Sequence, residues 1–543
     1  MITYLRKKMF PVLLVLVLPL YFGCSQEQTP AEKSETLAVI LVGGTVYNGL
    51  DTEPMVTDVG IDGDRIVEVG DLKDREAELR LDVTGLVVAP GFIDIHNHAI
   101  RPNPVRSGIF RWPDAKNLIR QGVTTVIGGP DGWSPLPLEE DFAELEAAPA
   151  SVNFGSFVGH TSVRALVVGQ DDRPATEEEL QQMRDEVDKA MRSGAYGLSS
   201  GLLYAPGKFA STEEVIELAK VAGKYGGIYI SHMRSEGLGV LQSVEETIRI
   251  GEEGNLPAQI THHKVMGAPM WGKSVETLAL VDAAIARGLD VSSDQYPYPA
   301  GSTGLTGAFP RWSLDGDSAT RRARLEDPLE REKVRKDIVF SLLNERGGND
   351  PAKVALANCA WDPSLNGLNL AEVLEKKGRE VTIENAAELM IELQLAGGCS
   401  AIYHAMSLED VERIMQHPKT MVASDGGIII PGVGVPHPRN YGAFARVLGH
   451  YVRERGLLPL STAIYKMTRM PADRINITDR GRIEVGVMAD ITVFDPATIT
   501  DKATFKDPHQ YAEGVRHVFV NGQPALLNGE MTGARPGRIL RAR

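Results

Sequence analysis

His96 and His98 close the run Val87-Val88-Ala89-Pro90-Gly91-Phe92-Ile93-Asp94-Ile95-His96-Asn97-His98. The run is apolar and β-branched, which predicts a single buried strand. Residues two apart on a strand point the same way, so two imidazoles leave its end side by side, spaced to grip one metal ion. Further along, His232 ends Ile228-Tyr229-Ile230-Ser231, His262 follows Gln259-Ile260-Thr261, and Asp425 follows Met421-Val422-Ala423-Ser424. Each alone is accounted for by a hydrogen-bonded strand end. Five of them on one mouth would make a metal centre, with His96, His98, His232, His262 and Asp425 as ligands. Nitrogen and carboxylate donors suit zinc, as one ion or two, with manganese or iron as alternatives. Such an ion lowers the pKa of bound water. Asp425 would then accept a proton from that water.

Convergence of this kind needs a scaffold that delivers strand ends to one place. Strand and helix patterns alternate through the middle of the chain, which marks an α/β fold. Eight candidate strands end near His98, Gly129, His160, Ser200, His232, His262, Asp294 and Asp425. Thr176 with Glu179, and Ser211 with Glu214, have capping-box spacing at helix starts. Eight such units predict a (β/α)8 TIM barrel over 89–479, whose site lies at the C-terminal ends of its strands. An insertion at about 297–420 precedes the last strand, and its charged run from Arg321 to Lys336 is expected to be a solvated helix face. Short strands and tight turns fill 38–88, including a hairpin at Asp62-Gly63-Asp64, and recur over 480–543. The two ends of the chain are therefore expected to form one small β-sandwich domain.

The chain has 543 residues, 43% hydrophobic and 24% charged, the balance of a soluble globular protein. Its formal net charge of −15 argues against nucleic acid or an anionic membrane surface as partner. A small substrate bearing a carboxylate remains compatible, because a site can be locally positive. Arg6, Lys7 and Lys8 precede an apolar run from Met9 to Phe22, broken only by Pro11 and Pro19. This predicts a signal peptide over 1–23 and export. Cys24 follows Leu20-Tyr21-Phe22-Gly23, a sequence similar to a bacterial lipoprotein cleavage box, and a polar tether occupies 24–37. The expectation is a periplasmic protein held to a membrane by a lipid on Cys24 and by nothing else. The remaining cysteines, Cys359 and Cys399, are not expected to make a disulfide framework.

Several further segments carry a family resemblance. They are Gly122-Val123-Thr124-Thr125-Val126, Val158-Gly159-His160, Gly197-Leu198-Ser199-Ser200-Gly201-Leu202, Tyr296-Pro297-Tyr298, His437-Pro438-Arg439, Gly481-Arg482-Ile483 and Ala489-Asp490. With the histidines above, they make the chain resemble the amidohydrolase superfamily, and within it the D-aminoacylase (N-acyl-D-amino-acid deacylase) family, from about Val39 to Arg543. The resemblance implies hydrolysis of N-acyl-D-amino acids or of dipeptides with a C-terminal D-residue. It also implies a carboxylate clamp drawn from Lys264, Tyr296, Ser302 and Arg439, with Lys264 or Tyr296 helping to polarise the amide carbonyl. The family usually places a metal-binding Cys at the end of the second strand. Here Gly128-Gly129-Pro130-Asp131-Gly132 stands there, so Asp131 falls at the Cys position, either as a replacement ligand or as part of a turn. Other branches use a carbamylated Lys at the end of the fourth strand. Ser199-Ser200-Gly201 offers none, and Lys208 lies farther along. The competing readings are a cyclic amidase of the dihydroorotase or hydantoinase kind, and an inactive metal-containing binding lipoprotein. The presence of Asp425 argues against the second, since a binder needs no proton shuttle.

Overall fold

The structure is a computed structural model and describes residues 36–100 and 107–542. The expected signal peptide and Cys24 lie outside the described residues. The first strand, Thr36–Val46, begins inside the expected tether.

Eight strands form the barrel in chain order: Phe92–Asp94, Val123–Gly128, Asn153–Ser156 continued by Val158–Gly159, Gly197–Gly201, Ile228–His232, Ala258–Ile260, Val291–Gln295 and Thr420–Val422. Every adjacent pairing among them is parallel. A parallel bridge from Asn97 to Gly426 joins the first strand's end to the last. Buried on both faces, these strands read as runs of small and branched residues, as in Val123-Thr124-Thr125-Val126-Ile127-Gly128. Helices cover the outside. Thr176 and Glu179 complete a full capping box. At Ser211 only half of one forms: the hydroxyl accepts from the Glu214 N–H, but the Glu214 carboxylate turns inward to His160 and Arg164.

The expected single strand from Val87 to His98 is two strands. Val87–Pro90 pairs antiparallel with Ile491–Phe494 in the β-domain, while Phe92–Asp94 enters the barrel. The break falls at Gly91, where a Cβ would lie 2.2 Å from the Thr124 hydroxyl, so only glycine lets the two chains cross. The small β-domain draws strands from both ends of the chain into one continuous nine-stranded sheet. Two tight turns shape it. Asp62 pairs with Arg65 across Gly63-Asp64, where Gly63 has positive φ, and Val520 pairs with Gln523 across Asn521-Gly522, where both residues do.

The segment between the seventh and eighth strands folds as helices around a three-stranded antiparallel sheet of Gly301–Gly304, Ser400–Tyr403 and Val354–Asn358. The charged run lies on helices Ser318–Glu326 and Pro328–Ser341. They bury Leu325, Val334 and Ile338 and expose i,i+3 ion pairs such as Lys333–Glu330. Contrary to the sequence expectation, Cys359 and Cys399 form a disulfide. They are 40 residues apart, but sheet pairing sets their strand ends side by side. No described helix is long and apolar enough to cross a membrane.

Candidate active site

The ends of the first and last barrel strands are tied together before any ligand is placed. The Asp94 carboxylate accepts from the Ser424 N–H at 2.9 Å, from Asn97 Nδ2 at 2.7 Å and from the Ser424 hydroxyl. The Asp425 N–H donates to the His96 carbonyl at 3.0 Å. Asp294, at the end of the seventh strand, similarly holds the sixth. It accepts from the His262 N–H at 2.7 Å and from Gln259 Nε2 at 2.6 Å, and its Oδ1 lies 3.5 Å from His96 Nδ1.

Asp131 sits at the centre, only 5% exposed. Its carboxylate lies 3.4 Å from His96 Nε2, 3.4 Å from His98 Nε2, 3.7 Å from His232 Nδ1 and 3.3 Å from His262 Nε2. Asp425 Oδ1 is 3.1 Å from His98 Nε2 and 3.6 Å from His96 Nε2. His232 Nδ1 and His262 Nε2 face each other at 2.7 Å. Asp131, His262 and Asp425 all have positive φ, at 55°, 35° and 48°. Strained backbone at three side chains facing one point is characteristic of a functional site.

The donor set fits a divalent cation. His96 Nε2 and Asp131 Oδ1, the atoms that face the other ligands, are buried without a hydrogen-bond partner among the described residues. Natural cores rarely leave such groups unmatched. Two groups, His96 with His98, Asp131 and Asp425, and Asp131 with His232 and His262, each bring their ligand atoms within 4.8 Å of one another. Asp131 belongs to both, the position a bridging ligand takes. Electrostatics agree. Burial alone would lower the His96 pKa, yet Asp131 and Asp294 hold it well above the ordinary value. Burial would raise the Asp131 carboxyl, yet His96 and His262 hold it well below. The carboxylate field that draws a proton onto His96 also attracts a cation, while burial lowers His232 and keeps its ring neutral.

The clamp candidates line the same cavity of about 770 Å³. Tyr296 has two cations near its ring, with Lys264 Nζ 5.4 Å and the Arg439 guanidinium 4.9 Å from its centroid. Arg439 Nη1 donates to Asp425 Oδ2 at 2.6 Å. Ser302 stands on the wall supplied by the insertion. Sequence reasoning missed Glu236, a buried carboxylate that accepts from Lys264 Nζ at 2.5 Å and lies 3.1 Å from His262 Nδ1. His262 Nδ1 also meets Lys264 Nζ at 2.6 Å, so Lys264 and Glu236 together hold that ring with Nε2 toward Asp131. Glu236 is four residues past His232, and that spacing alone does not separate it from a solvated acid.

Two histidines that also lie near strand ends turn away. His160 Nε2 is 2.9 Å from Glu214, and His263 Nε2 meets the Thr277 hydroxyl at 3.0 Å. Burial, aided by His417 and Lys264, pushes the His263 pKa down to about 3. The unfolded chain therefore takes this proton first. The stability linked to neutral His263 is complete above about pH 6.5 and is lost as pH falls toward 3, on the order of 5 kcal/mol in all. His263→Asn should be less stable than wild type at pH 7, with the gap narrowing by pH 4 in urea titrations. Parallel pH profiles would refute the assignment.

The profile of the amidohydrolase family matches residues 81–302 and 375–526. A D-aminoacylase from Alcaligenes xylosoxydans xylosoxydans is 41% identical over 93% of this chain and 98% of its own. A D-aminoacylase crystal structure, studied for its binuclear metal centre, superposes with a TM-score of 0.79 at 38% identity, over 93% of this chain and all of that one. An N-acyl-D-glutamate deacylase from Bordetella bronchiseptica, solved with zinc and a phosphonate mimic of the tetrahedral intermediate, gives 0.79 at 32% identity, over 94% of this chain and all of that one. With a family profile spanning both arms of the fold and relatives matched nearly end to end, this chain belongs to the amidohydrolase family, in its D-aminoacylase branch.

Proposed function

We propose that this chain is a metal-dependent hydrolase that cleaves N-acyl-D-amino acids, or dipeptides ending in a D-residue, using one or two zinc ions. The observation that carries the reading is the meeting of four imidazoles, Asp131 and Asp425 on one cavity whose wall also bears Lys264, Tyr296, Ser302 and Arg439. His96, His98, Asp131, His232, His262 and Asp425 would hold the metal. When bound, it supplies Lewis acidity that polarises the amide carbonyl and makes water acidic enough to ionise near neutral pH. Asp425 takes the water proton and later delivers it to the departing amine. Lys264, Tyr296 and Ser302 orient the α-carboxylate. Arg439 is shared: it pairs with Asp425 here, and a substrate carboxylate that draws it away leaves Asp425 more basic. The absence of a lysine at the fourth strand end disfavours the cyclic-amidase alternative. A hydrolysis screen of metal-loaded protein against N-acyl-D-, N-acyl-L- and cyclic amide libraries tests the assignment. Turnover confined to the L or cyclic set would overturn it.

The same reading places the protein in the periplasm, anchored through Cys24. The basic and apolar leader supports export, and the Cys359–Cys399 disulfide suits an oxidising compartment. Native protein should fractionate with membranes, and Cys24→Ala should release it. Unmodified protein found free in the periplasm would remove the anchor from the proposal.

A further inference from the structure

Two cavities meet at one buried cation. Beside the main cavity lies a smaller one of about 300 Å³, and Glu236, Met266 and Arg346 belong to the walls of both. Arg346 is only 6% exposed. Its Nη1 lies 3.3 Å from Met266 Sδ, its guanidinium stands 5.7 Å over the Tyr403 ring, and its Nε has no hydrogen-bond partner among the described residues. No described carboxylate forms an ion pair with it. Burying a guanidinium without an anion is costly, so such a group marks a place where an anion arrives.

The other cations around these cavities are mostly paired: Lys264 with Glu236, Arg439 with Asp425, and Arg234 with Glu246. Lys208, half-buried on the wall of the smaller cavity, also lacks a described ion pair, as does the exposed Arg111 on the wall of the main one. Burial, then Arg346, brings the Lys208 amine down to about 8, and Glu345 opposes that fall without pairing with it. Asp337, on the same wall, accepts from Trp312 Nε1 at 3.0 Å. Arg346 adjoins the clamp without belonging to it. A Cβ at Gly301, the residue before Ser302, would lie 3.6 Å from the Tyr296 hydroxyl and 3.9 Å from the Met266 sulfur that Arg346 touches.

Building on the N-acyl-D-amino-acid reading above, we propose that Arg346, backed by Lys208, forms a side-chain subsite for a second anionic group, so that the preferred substrates carry an acidic D side chain. The α-carboxylate occupies the clamp, and the side-chain acid reaches through to Arg346. A neutral side chain leaves the guanidinium unmatched.

The test is kcat/KM of the metal-loaded enzyme on N-acetyl-D-glutamate, N-acetyl-D-aspartate and N-acetyl-D-methionine, with Arg346→Met, Arg346→Lys and Lys208→Met beside wild type. Wild type should favour at least one acidic substrate by about tenfold or more. Arg346→Met should lose about 100-fold on that substrate, chiefly through KM, and stay within about threefold on N-acetyl-D-methionine. Arg346→Lys should recover part of the loss. Lys208→Met should show a smaller loss of the same selectivity, which keeps the subsite testable if Arg346→Met folds poorly. A wild-type preference for N-acetyl-D-methionine, or equal losses on all three substrates in both methionine variants, would overturn the subsite and leave the deacylase function standing. No hydrolysis of any of the three would overturn that function and the subsite with it.

Discussion

Asp425→Asn is expected to fold, to keep part of its metal through the imidazoles and Asp131, and to lose about 10²–10⁴ in kcat for the metal that remains bound, the range general acid–base groups contribute. Asparagine matches the shape of the side chain and tolerates its φ of 48°. Its amide oxygen can still accept from Arg439 Nη1, now at 2.6 Å from the carboxylate. It cannot take up a proton. Burial would raise the Asp425 carboxyl, but Arg439, His262 and His98 hold it below the usual carboxylate range, so it is ionised wherever the enzyme works. A carboxylate so strongly stabilised is a weak base until one partner leaves. The loss should therefore appear in kcat more than in KM, and the variant should bind a phosphonate analogue almost as tightly as wild type. Near-normal turnover in a fully metallated variant would place the shuttle elsewhere.

The barrel was legible because its strands are buried on both faces and its chemistry follows directly after them. The runs before His232 and Asp425 are apolar up to a single serine, and the run before His262 is broken by Gln259 and Thr261. Features that depend on a partner far away in sequence were not legible. Gly91 reads as part of a strand until Thr124 is placed against it. Cys359 and Cys399 read as isolated thiols until the order of three insertion strands brings them together. Glu236 and Arg346 have the composition of solvated charges, and only burial distinguishes them. The adjacent His262 and His263 show the limit most sharply. Residue type and position nearly coincide, yet one ring faces the cluster and the other faces Thr277.

The Asp131 series separates a ligand from a turn. Asp131→Ala should lose metal and activity together. Partners outside the coordination shell cost 10–100-fold in affinity when removed, so a direct ligand should cost at least roughly 100-fold. His232→Ala and His262→Ala should behave the same way, since each shares the cluster with Asp131. Asp131→Asn is the sharper variant. It keeps the Pro130-Asn-Gly132 backbone comfortable at a φ of 55°, so a purely structural residue would leave metal content and kcat nearly unchanged. Loss of metal in that variant assigns the effect to the carboxylate charge. Asp131→Cys completes the series, because a thiolate is the softer donor and should bind zinc at least as well. Recovery of zinc by cysteine after its loss in asparagine cannot arise from turn geometry, since asparagine is the better turn former. Full metal content in both the alanine and asparagine variants would remove Asp131 from the centre, although its carboxylate lies within 3.7 Å of all four imidazoles.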